Sequence, residues 1–436
     1  KLAAIGLAAF VFASCSDSNS DPTGGTAPVI NPADLTSVKL VAQQIDNSNI
    51  ANYKNSTANA RKFFLTRAGA TNFTTAMPTA PTKESFSKVL NLSGPADLTK
   101  QAYTISSGKD INFTGKKING ATIFVDGKCT MQYDETTQMS NTTIVLLSSA
   151  TLKYNGTGDM IPSGCTVYCT NPRNVFSAKN DIKINGNLYA DFRDKKSDGS
   201  KDLITGLGAI KETTPAEKDK SITPTQNITF GSGANVFIDG SIRAINLQVE
   251  NGANVYAKEN LFNNDNNGNA TINGNLYIGG FIKTRTLDVN GYLKAVEAIK
   301  VTNAFNVHDG ANVEASYINV TNNTKNGDKV IAKGEATLSL NGTGKITIGD
   351  KNVITANNLV TDNASAGQIT LAGENAVAVI KAHKFTNNGK SNMSLLQHQA
   401  QTLHSCSSSR RIIVVQPNTI LSRIWTSLPH TQTMTR

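Results

Sequence analysis

The segment Gly233-Ala234-Asn235-Val236 opens a repeat that runs through residues 227–320. Its further copies read Gly252-Ala253-Asn254-Val255, Gly274-Asn275-Leu276, Gly291-Tyr292-Leu293 and Gly310-Ala311-Asn312-Val313. Subtracting successive glycine numbers gives steps of 19, 22, 17 and 19 residues, so the repeat unit is about 20 residues long. A unit of this length is typical of solenoid proteins, which stack one short structural repeat on the next.

The side chains between these glycines alternate with a period of two. Leu247 and Val249 flank Gln248, and Leu287 and Val289 flank Asp288. This period places apolar side chains on one face of a β-strand and polar side chains on the other. Each strand is therefore predicted to have one buried face and one exposed face.

Asn-Gly pairs occur ten times in the chain and mark its turns. Both residues tolerate positive φ, so they suit tight bends between strands. A parallel β-helix needs one principal turn per coil, whereas an antiparallel meander turns roughly every 8–12 residues. The repeat therefore predicts an all-β chain folded as a single-stranded parallel β-helix, a type of solenoid. An antiparallel meander or sandwich is the alternative.

The first residues have the pattern of an export signal. Thirteen uncharged residues, Leu2 to Ser14, lie between Lys1 and Cys15. A membrane span needs about 20 apolar residues, so this run suits the core of a signal peptide, predicted over residues 1–14. Phe12-Ala13-Ser14-Cys15 resembles the lipobox of bacterial lipoproteins of the Bacteroidetes type, although a plain secretory signal is the alternative. The resemblance implies that Cys15 carries an acyl anchor in the membrane.

The residues after Cys15 predict where the anchored chain is displayed. Ser16, Asp17 and Asp21 lie in a short acidic stretch that resembles the export signal of Bacteroidetes surface lipoproteins. The resemblance implies an outer-membrane protein that faces the cell exterior. Residues 15–28 are rich in Ser, Thr, Gly and Pro, so they are expected to form a flexible tether.

The rest of the chain divides into three parts. Residues 29–94 are expected to form a small, mostly helical or irregular N-terminal cap or adaptor, because an open solenoid end needs a cover. Residues 95–390 are predicted to form the β-helix, with an insertion at 190–226 that is rich in Lys, Asp and Ser. Residues 391–436 form an atypical tail with no Gly, Asp, Glu or Lys, which indicates a shifted reading frame or a mis-called gene end. The alternative is a genuine tail that serves as an unusual export or interaction segment. Nothing after Ser391 is expected to cap the last coil.

Charge and cysteine usage limit the possible partners and chemistry. The net charge is +10, from 42 basic and 32 acidic residues, and the basic residues are dispersed among the acids. This dispersal argues against a nucleic-acid partner. Cys129, Cys165 and Cys169 are interpreted either as small buried hydrophobic residues or as the source of one disulfide.

No complete catalytic or metal-binding motif is present. Residues 263–268 resemble the opening of an EF-hand loop, but Gly274 stands where a bidentate Glu is needed, so a plain turn is favoured. Asp191, Asp194, Asp198 and Asp202 are expected to lie in a solvated loop rather than to converge from neighbouring coils. We therefore expect neither a metal nor another cofactor.

The leading hypothesis is a non-enzymatic cell-surface lipoprotein. Its β-solenoid would have a structural or adhesive role and would contact extracellular glycans or other surface proteins. The rival hypothesis is a β-helical polysaccharide lyase or glycoside hydrolase, which would need acids from adjacent coils beside a basic partner.

Overall fold

The computed structural model describes residues 73–83, 88–89, 97–105, 108–192, 195–196, 202–207, 209–213, 226–263, 268–326, 329–332, 336–348, 352–361, 369–371, 378–387, 400–401 and 411–417. Throughout these ranges the regular elements are β-strands. A search of the same residues found no helix that is long and apolar enough to cross a membrane. Residues 29–72 of the expected N-terminal cap, the signal peptide and the tether lie outside the described ranges.

The strands of the first half are β1 Lys88–Val89, β2 Leu98–Thr99, β3 Ala102–Ile105, β4 Asp110–Asn112, β5 Lys117–Asn119, β6 Thr122–Val125, β7 Thr130–Tyr133, β8 Gln138–Ser140, β9 Thr143–Leu146, β10 Thr151–Tyr154, β11 Thr166–Cys169, β12 Val175–Ala178, β13 Ile182–Ile184, β14 Asn187–Phe192, β15 Lys195–Lys196, β16 Asp202–Leu207, β17 Ala209–Thr213 and β18 Ile228–Phe230. Those of the second half are β19 Asn235–Ala244, β20 Leu247–Val249, β21 Asn254–Ala257, β22 Leu261–Asn263, β23 Asn269–Ile272, β24 Asn275–Ile278, β25 Phe281–Val289, β26 Tyr292–Val307, β27 Asn312–Val320, β28 Asn323–Asn326, β29 Lys329–Ala332, β30 Thr337–Leu340, β31 Lys345–Ile348, β32 Asn352–Thr361, β33 Ile369–Leu371, β34 Ala378–Asn387, β35 Ala400–Gln401 and β36 Arg411–Pro417.

The coils stack through parallel strand pairs on three faces. Face A begins with β1, β3, β6, β9, β11 and β14, and continues through the first part of β19 and through β21 and β24. Face B contains β4, β7, β10 and β12, and later the second part of β19 with β22. Face C contains β5, β8, β13, β18, β20 and β23. The long strands β25, β27 and β32 each bend around one corner and serve two faces, and β26 bends around two corners and serves all three.

Successive coils keep one register, which confirms the predicted parallel β-helix. The inward positions of face A pair from coil to coil in the order Ile123, Ile144, Val167, Leu188, Val236, Val255, Leu276, Leu293, Val313 and Ile346. The alternative antiparallel meander or sandwich is wrong, because neighbouring coils pair in parallel. The 20-residue repeat of the sequence is thus one turn of the solenoid.

The interior is a continuous stack of aliphatic and aromatic side chains. The inward residues of face A from Val236 to Ile346 are fully buried. Cys129, Cys165 and Cys169 are free and buried in the same core, so their interpretation as small hydrophobic residues is confirmed and the disulfide is wrong. Burial of each Val or Leu side chain stabilises a fold by about 1.5–3 kcal/mol, so the core can hold the coils together without cross-links.

The repeated glycines lie where the backbone of one coil passes close to the next. At Gly274, a β-carbon would stand 2.2 Å from the carbonyl oxygen of Glu250 and 2.7 Å from that of Ala253. At Gly291, it would stand 2.2 Å from the carbonyl oxygen of Gly274. Close approach of coils, rather than a two-residue hairpin, therefore requires these two glycines of the repeat.

Two excursions leave the solenoid on the side of face B. Within the predicted insertion, β15, β16 and β17 pair in antiparallel order, and Gly206 and Leu207 return to pair in parallel with β19. A second excursion forms the antiparallel pair β28 and β29. No insertion was predicted at this place. Both excursions interrupt a coil between its face A strand and its face C strand. Solenoids tolerate such insertions because the stacked strands on either side keep their register.

Residues 73–83 form an extended segment, the strap, that runs along face A. At one end, the Phe73 ring lies 6.0 Å from the Tyr277 ring and 6.1 Å from the Tyr292 ring. At the other end, Lys83 Nζ lies 3.0 Å from Asp126 Oδ2, and its hydrogen bond lowers the pKa of the Asp126 carboxyl. The strap therefore covers a side of the solenoid, and the N-terminal cap or adaptor expected over residues 29–94 stays a prediction.

The C-terminal tail contributes a strand, β36, that pairs with the last long strand of the solenoid. β36 pairs in antiparallel order with β34, and Ile413 lies opposite Ile380. The expectation that nothing after Ser391 could cover the last coil is therefore wrong for residues 411–417. A strand built from the continuous run Ile412-Ile413-Val414-Val415 can supply backbone partners to an open edge even though the composition of the tail is atypical.

Candidate functional site

Face C carries an uninterrupted outward row of hydrogen-bonding side chains, which we call the polar ladder. Its members pair in register from coil to coil: Lys183, Thr229, Gln248, Thr271, Asp288, Asn306 and Ser339. All seven are exposed or half-buried, whereas the residues on either side of each point into the core or lie at a corner. Adjacent strands lie about 4.8 Å apart, so the ladder offers one polar side chain per coil at that spacing.

Amide groups along the edges of face C hold one another in place. Asn246 Nδ2 donates to Asn227 Oδ1 at 2.9 Å, and Asn290 Nδ2 donates to Asn273 Oδ1 at 2.8 Å. An amide has two donor hydrogens and an oxygen with two lone pairs, so each such bond leaves hydrogen-bonding capacity free. The edges of the polar ladder are therefore ordered and can still bind a hydroxyl-rich ligand.

Asp288 is the fifth of the seven members of the polar ladder. Its Oδ1 accepts a hydrogen bond from Asn306 Nδ2 at 2.7 Å and lies 3.4 Å from His308 Nε2. The side chains of Asp288 and His308 are 29% and 38% exposed, so a ligand can reach both. This part of the face combines an acceptor of hydroxyl hydrogens with amide and imidazole groups.

A second cluster lies where face A turns into face B, and it corrects one expectation. Asp191 belongs to β14 and is buried, rather than standing in a solvated loop. It pairs in register with Asp239 of the next coil. Lys258, one coil further, places its Nζ 2.7 Å from Asp239 Oδ2. Asp202 likewise belongs to a strand, β16, whereas Asp194 and Asp198 lie outside the described residues.

The same corner contains a further carboxylate on the coil of Lys258. Glu259 Oε2 accepts a hydrogen bond from Ser241 Oγ at 3.1 Å. Lys258 also lies 5.8 Å from the ring centroid of Phe237, a cation–π geometry. The acids of this corner are thus already bound to partners within the protein.

Sequence reasoning missed Asp239 because the residues were compared along the chain rather than between coils. Aligning Leu188-Tyr189-Ala190-Asp191 on Val236-Phe237-Ile238-Asp239 would have placed the two acids side by side. The same alignment would have shown that Tyr189 and Phe237 both point outward.

Face A has an outward row of aromatic residues, the aromatic row: Tyr168, Tyr189, Phe237, Tyr256 and Tyr277. Ring centroids of Tyr256 and Tyr277 lie 4.5 Å apart in a stacked arrangement. At its C-terminal end the row meets Lys294, whose Nζ lies 3.1 Å from Glu314 Oε2. Tyr292 donates to the other oxygen of Glu314 at 3.0 Å. This face is therefore apolar in its middle and ionic at one end.

Burial of these tyrosines predicts a loss of stability at alkaline pH. Burial and the neighbouring Tyr256 and Glu314 raise the pKa of Tyr277 to about 12, and burial raises the pKa of Tyr317 to about 12. Because each folded-state pKa exceeds the ordinary value of 10.0, this contribution to stability is complete below pH 10 and is lost as the pH rises toward 12.

The Tyr277→Phe variant tests this expectation. We expect it to lose less unfolding free energy between pH 10 and pH 12 than the wild type, because the group that must ionise is gone. Denaturant unfolding followed by circular dichroism measures this difference, and tyrosinate absorbance reports the titration. Equal losses in the two proteins would contradict the assignment.

The remaining predicted site residues fall in part outside the described ranges. Cys15, Ser16, Asp17 and Asp21 all lie there, so the lipid anchor and the export signal stay predictions. In the segment that resembles an EF-hand opening, Asn263 Nδ2 donates to the Asn269 carbonyl at 2.7 Å across the turn. Within the described part of the chain, no group of three or more His, Cys, Asp or Glu side chains is arranged to hold a metal ion.

The fold defines the chain as a parallel β-solenoid, and face C of its described part carries the polar ladder. Comparison with known proteins found no matching family model, no matching curated protein and no matching solved structure.

Proposed function

We propose that this protein is a non-enzymatic cell-surface lipoprotein whose solenoid contacts extracellular glycans through the polar ladder of face C. The observation that supports this proposal is the register of seven outward polar side chains, exposed or half-buried, on consecutive coils. The resemblance of residues 12–15 to a lipobox supports anchoring in the outer membrane through Cys15. The acidic stretch with Ser16, Asp17 and Asp21 supports display toward the cell exterior.

The chemistry of the polar ladder matches that of a polysaccharide. Sugar hydroxyls both donate and accept hydrogen bonds, and so do the Thr, Asn, Gln and Ser side chains of the ladder. A single hydrogen bond contributes about 0.5–1.5 kcal/mol, so one rung binds weakly. Many rungs engage one extended chain together, because binding at one rung raises the effective concentration of sugar at the next.

A matched pair of double variants tests the polar ladder. Replacing Gln248 and Thr271 by Ala removes two adjacent rungs, and we expect retention on an immobilised polysaccharide to fall about ten-fold, from two lost hydrogen bonds. The control replaces Gln132 and Thr355, which point outward on face B, and is expected to leave retention unchanged. Equal retention of both variants on every polysaccharide tried would contradict glycan binding by face C.

A second candidate function is a polysaccharide lyase or glycoside hydrolase centred on Asp191 and Asp239. The specific observation in its favour is that these two acids stand in register on adjacent coils with Lys258 beside them. Glycoside hydrolases use a pair of carboxyl groups that flank the bond to be broken. Against this function, Asp239 is bound to Lys258 and Asp191 is buried, so neither acid is presented to an extended chain. Glycan binding without cleavage is therefore favoured.

A further inference from the structure

The aromatic row is an unusual exterior for a solenoid coil. The outward residues of face C are polar, whereas Phe124, Val145 and Phe237 of face A point outward and are fully buried. These three side chains do not belong to the interior core. Their burial therefore comes from chain that lies over the outer surface of face A. An exposed apolar row of this length would otherwise be a site of association.

The strap fits the aromatic row in length and direction. From the coil of Asp126 to the coil of Tyr277, the described chain makes six steps on face A, which amount to about 29 Å at about 4.8 Å each. Ten residues separate Phe73 from Lys83, and an extended chain of that length reaches about 33 Å. The strap is therefore almost fully extended along the axis of the solenoid.

Side chains at its two ends hold the strap. Phe73 inserts among Tyr256, Tyr277 and Tyr292, with ring centroids 6.0 to 6.5 Å apart. Thr74 Oγ1 donates to Asn235 Oδ1 at 3.1 Å. In the part of the chain that the structure describes, the strap has no strand partner, and its middle residues are half-buried or exposed. Segments held in this way open locally at low free energy.

We propose that the aromatic row also binds residues 73–83 of a second copy of this chain, so that two copies can join by exchange of the strap. The segment that demonstrably fits the row is the strap itself, and every copy carries one. Exchange of an identical element adds no new contact chemistry and is a low-cost route to a dimer. Within one copy the strap has an effective concentration in the millimolar range, so exchange appears when the internal pairing is broken. This proposal is independent of glycan binding.

Complementary full-length variants test the exchange. Phe73→Ala removes the anchor of the strap and leaves the aromatic row intact, whereas Tyr256→Ala with Tyr277→Ala removes the central rings and leaves the strap intact. Each protein alone is expected to sediment as a monomer at about 100 µM, because every copy in such a sample lacks the same half of the pairing. Their equimolar mixture is expected to form a one-to-one heterodimer, because the intact strap of one copy finds the intact row of the other.

The control mixture contains the double Tyr variant and, in place of Phe73→Ala, the variant Thr75→Ala. Thr75 is an exposed residue of the strap, so its replacement leaves the strap bound to its own aromatic row. This mixture is expected to stay monomeric. A mixture of the first two variants that stays monomeric, while both give the wild-type circular dichroism spectrum, would overturn the proposal.

A labelled peptide of residues 73–83 gives a second test that does not depend on the folding of the double Tyr variant. It is expected to bind the Phe73→Ala protein at least ten-fold more tightly than the wild type, in which the row is occupied. A peptide with Ala in place of Phe73 should bind at least ten-fold more weakly. No binding of the first peptide to Phe73→Ala would overturn the exchange.

Discussion

A Gly274→Ala variant is expected to lose about 1–3 kcal/mol of unfolding free energy or more, since overpacking a tightly packed site costs this much. The added β-carbon would lie 2.2 Å from the Glu250 carbonyl oxygen, far inside the closest distance at which real β-carbons approach another atom. The carbonyl oxygen belongs to the backbone of one coil and the position of the β-carbon is fixed by the backbone of the next, so the clash cannot be relieved by rotating a side chain. The midpoint of denaturant unfolding, followed by circular dichroism, measures the loss.

Gly158→Ala is the matched control. Its β-carbon would lie 3.4 Å from Tyr154 Oη and 3.5 Å from Glu135 Cβ, which are ordinary contacts. We expect its stability to be equal to that of the wild type or slightly higher, because Ala restricts the unfolded chain more than Gly does. If the Gly274 and Gly158 variants unfolded at the same denaturant concentration, the close approach of coils at Gly274 would not be real.

A Cys15→Ala variant is expected to lose all incorporation of radiolabelled fatty acid in a bacterial host that processes lipoproteins. The thioether on Cys15 would be the attachment point of the acyl chains in the proposed anchor. A single acyl chain gives marginal membrane binding and two or more give stable anchoring, so the variant should also leave the membrane fraction. Autoradiography of the immunoprecipitated protein measures the label.

Cys406→Ala serves as its control, because it also removes one cysteine and lies far from the lipobox in sequence. This variant should incorporate label as the wild type does. Equal labelling of the wild type and Cys15→Ala would show that residues 12–15 are not processed as a lipobox.

The sequence pattern within one repeat predicted the solenoid, because every coil needs the same alternation of apolar and polar residues and glycines at the same places. The alternation around Leu247 and Val249 decides which side chains enter the core, and Gly274 and Gly291 decide where coils can approach. Both signals are readable within one repeat. The strap was not predictable in this way, since the need for a cover arises when Tyr189, Phe237 and other outward residues of separate coils stack into one apolar row.

Some residues of the candidate sites were likewise predictable from a single strand, and others depend on how separate coils pair. The polar members of face C, such as Gln248 and Asp288, follow from alternation within a strand. Asp191 and Asp239 lie in register on adjacent coils although the insertion separates them in sequence. Because the insertion makes this separation much longer than one repeat, the pairing could not be read from the repeat spacing. Asp191 was therefore assigned to a loop, although its strand continues face A.

We propose that the solenoid binds glycans and leaves them intact. The most direct test of this proposal is to incubate the purified protein with a panel of neutral and acidic polysaccharides and to measure new reducing ends and new unsaturated chain ends. We expect retention of at least one polysaccharide and no new chain ends, both in the wild type and in a protein with Asp191→Asn and Asp239→Asn. New chain ends that appear with the wild type and disappear with this double variant would contradict glycan binding without cleavage. They would establish a lyase or hydrolase centred on Asp191 and Asp239.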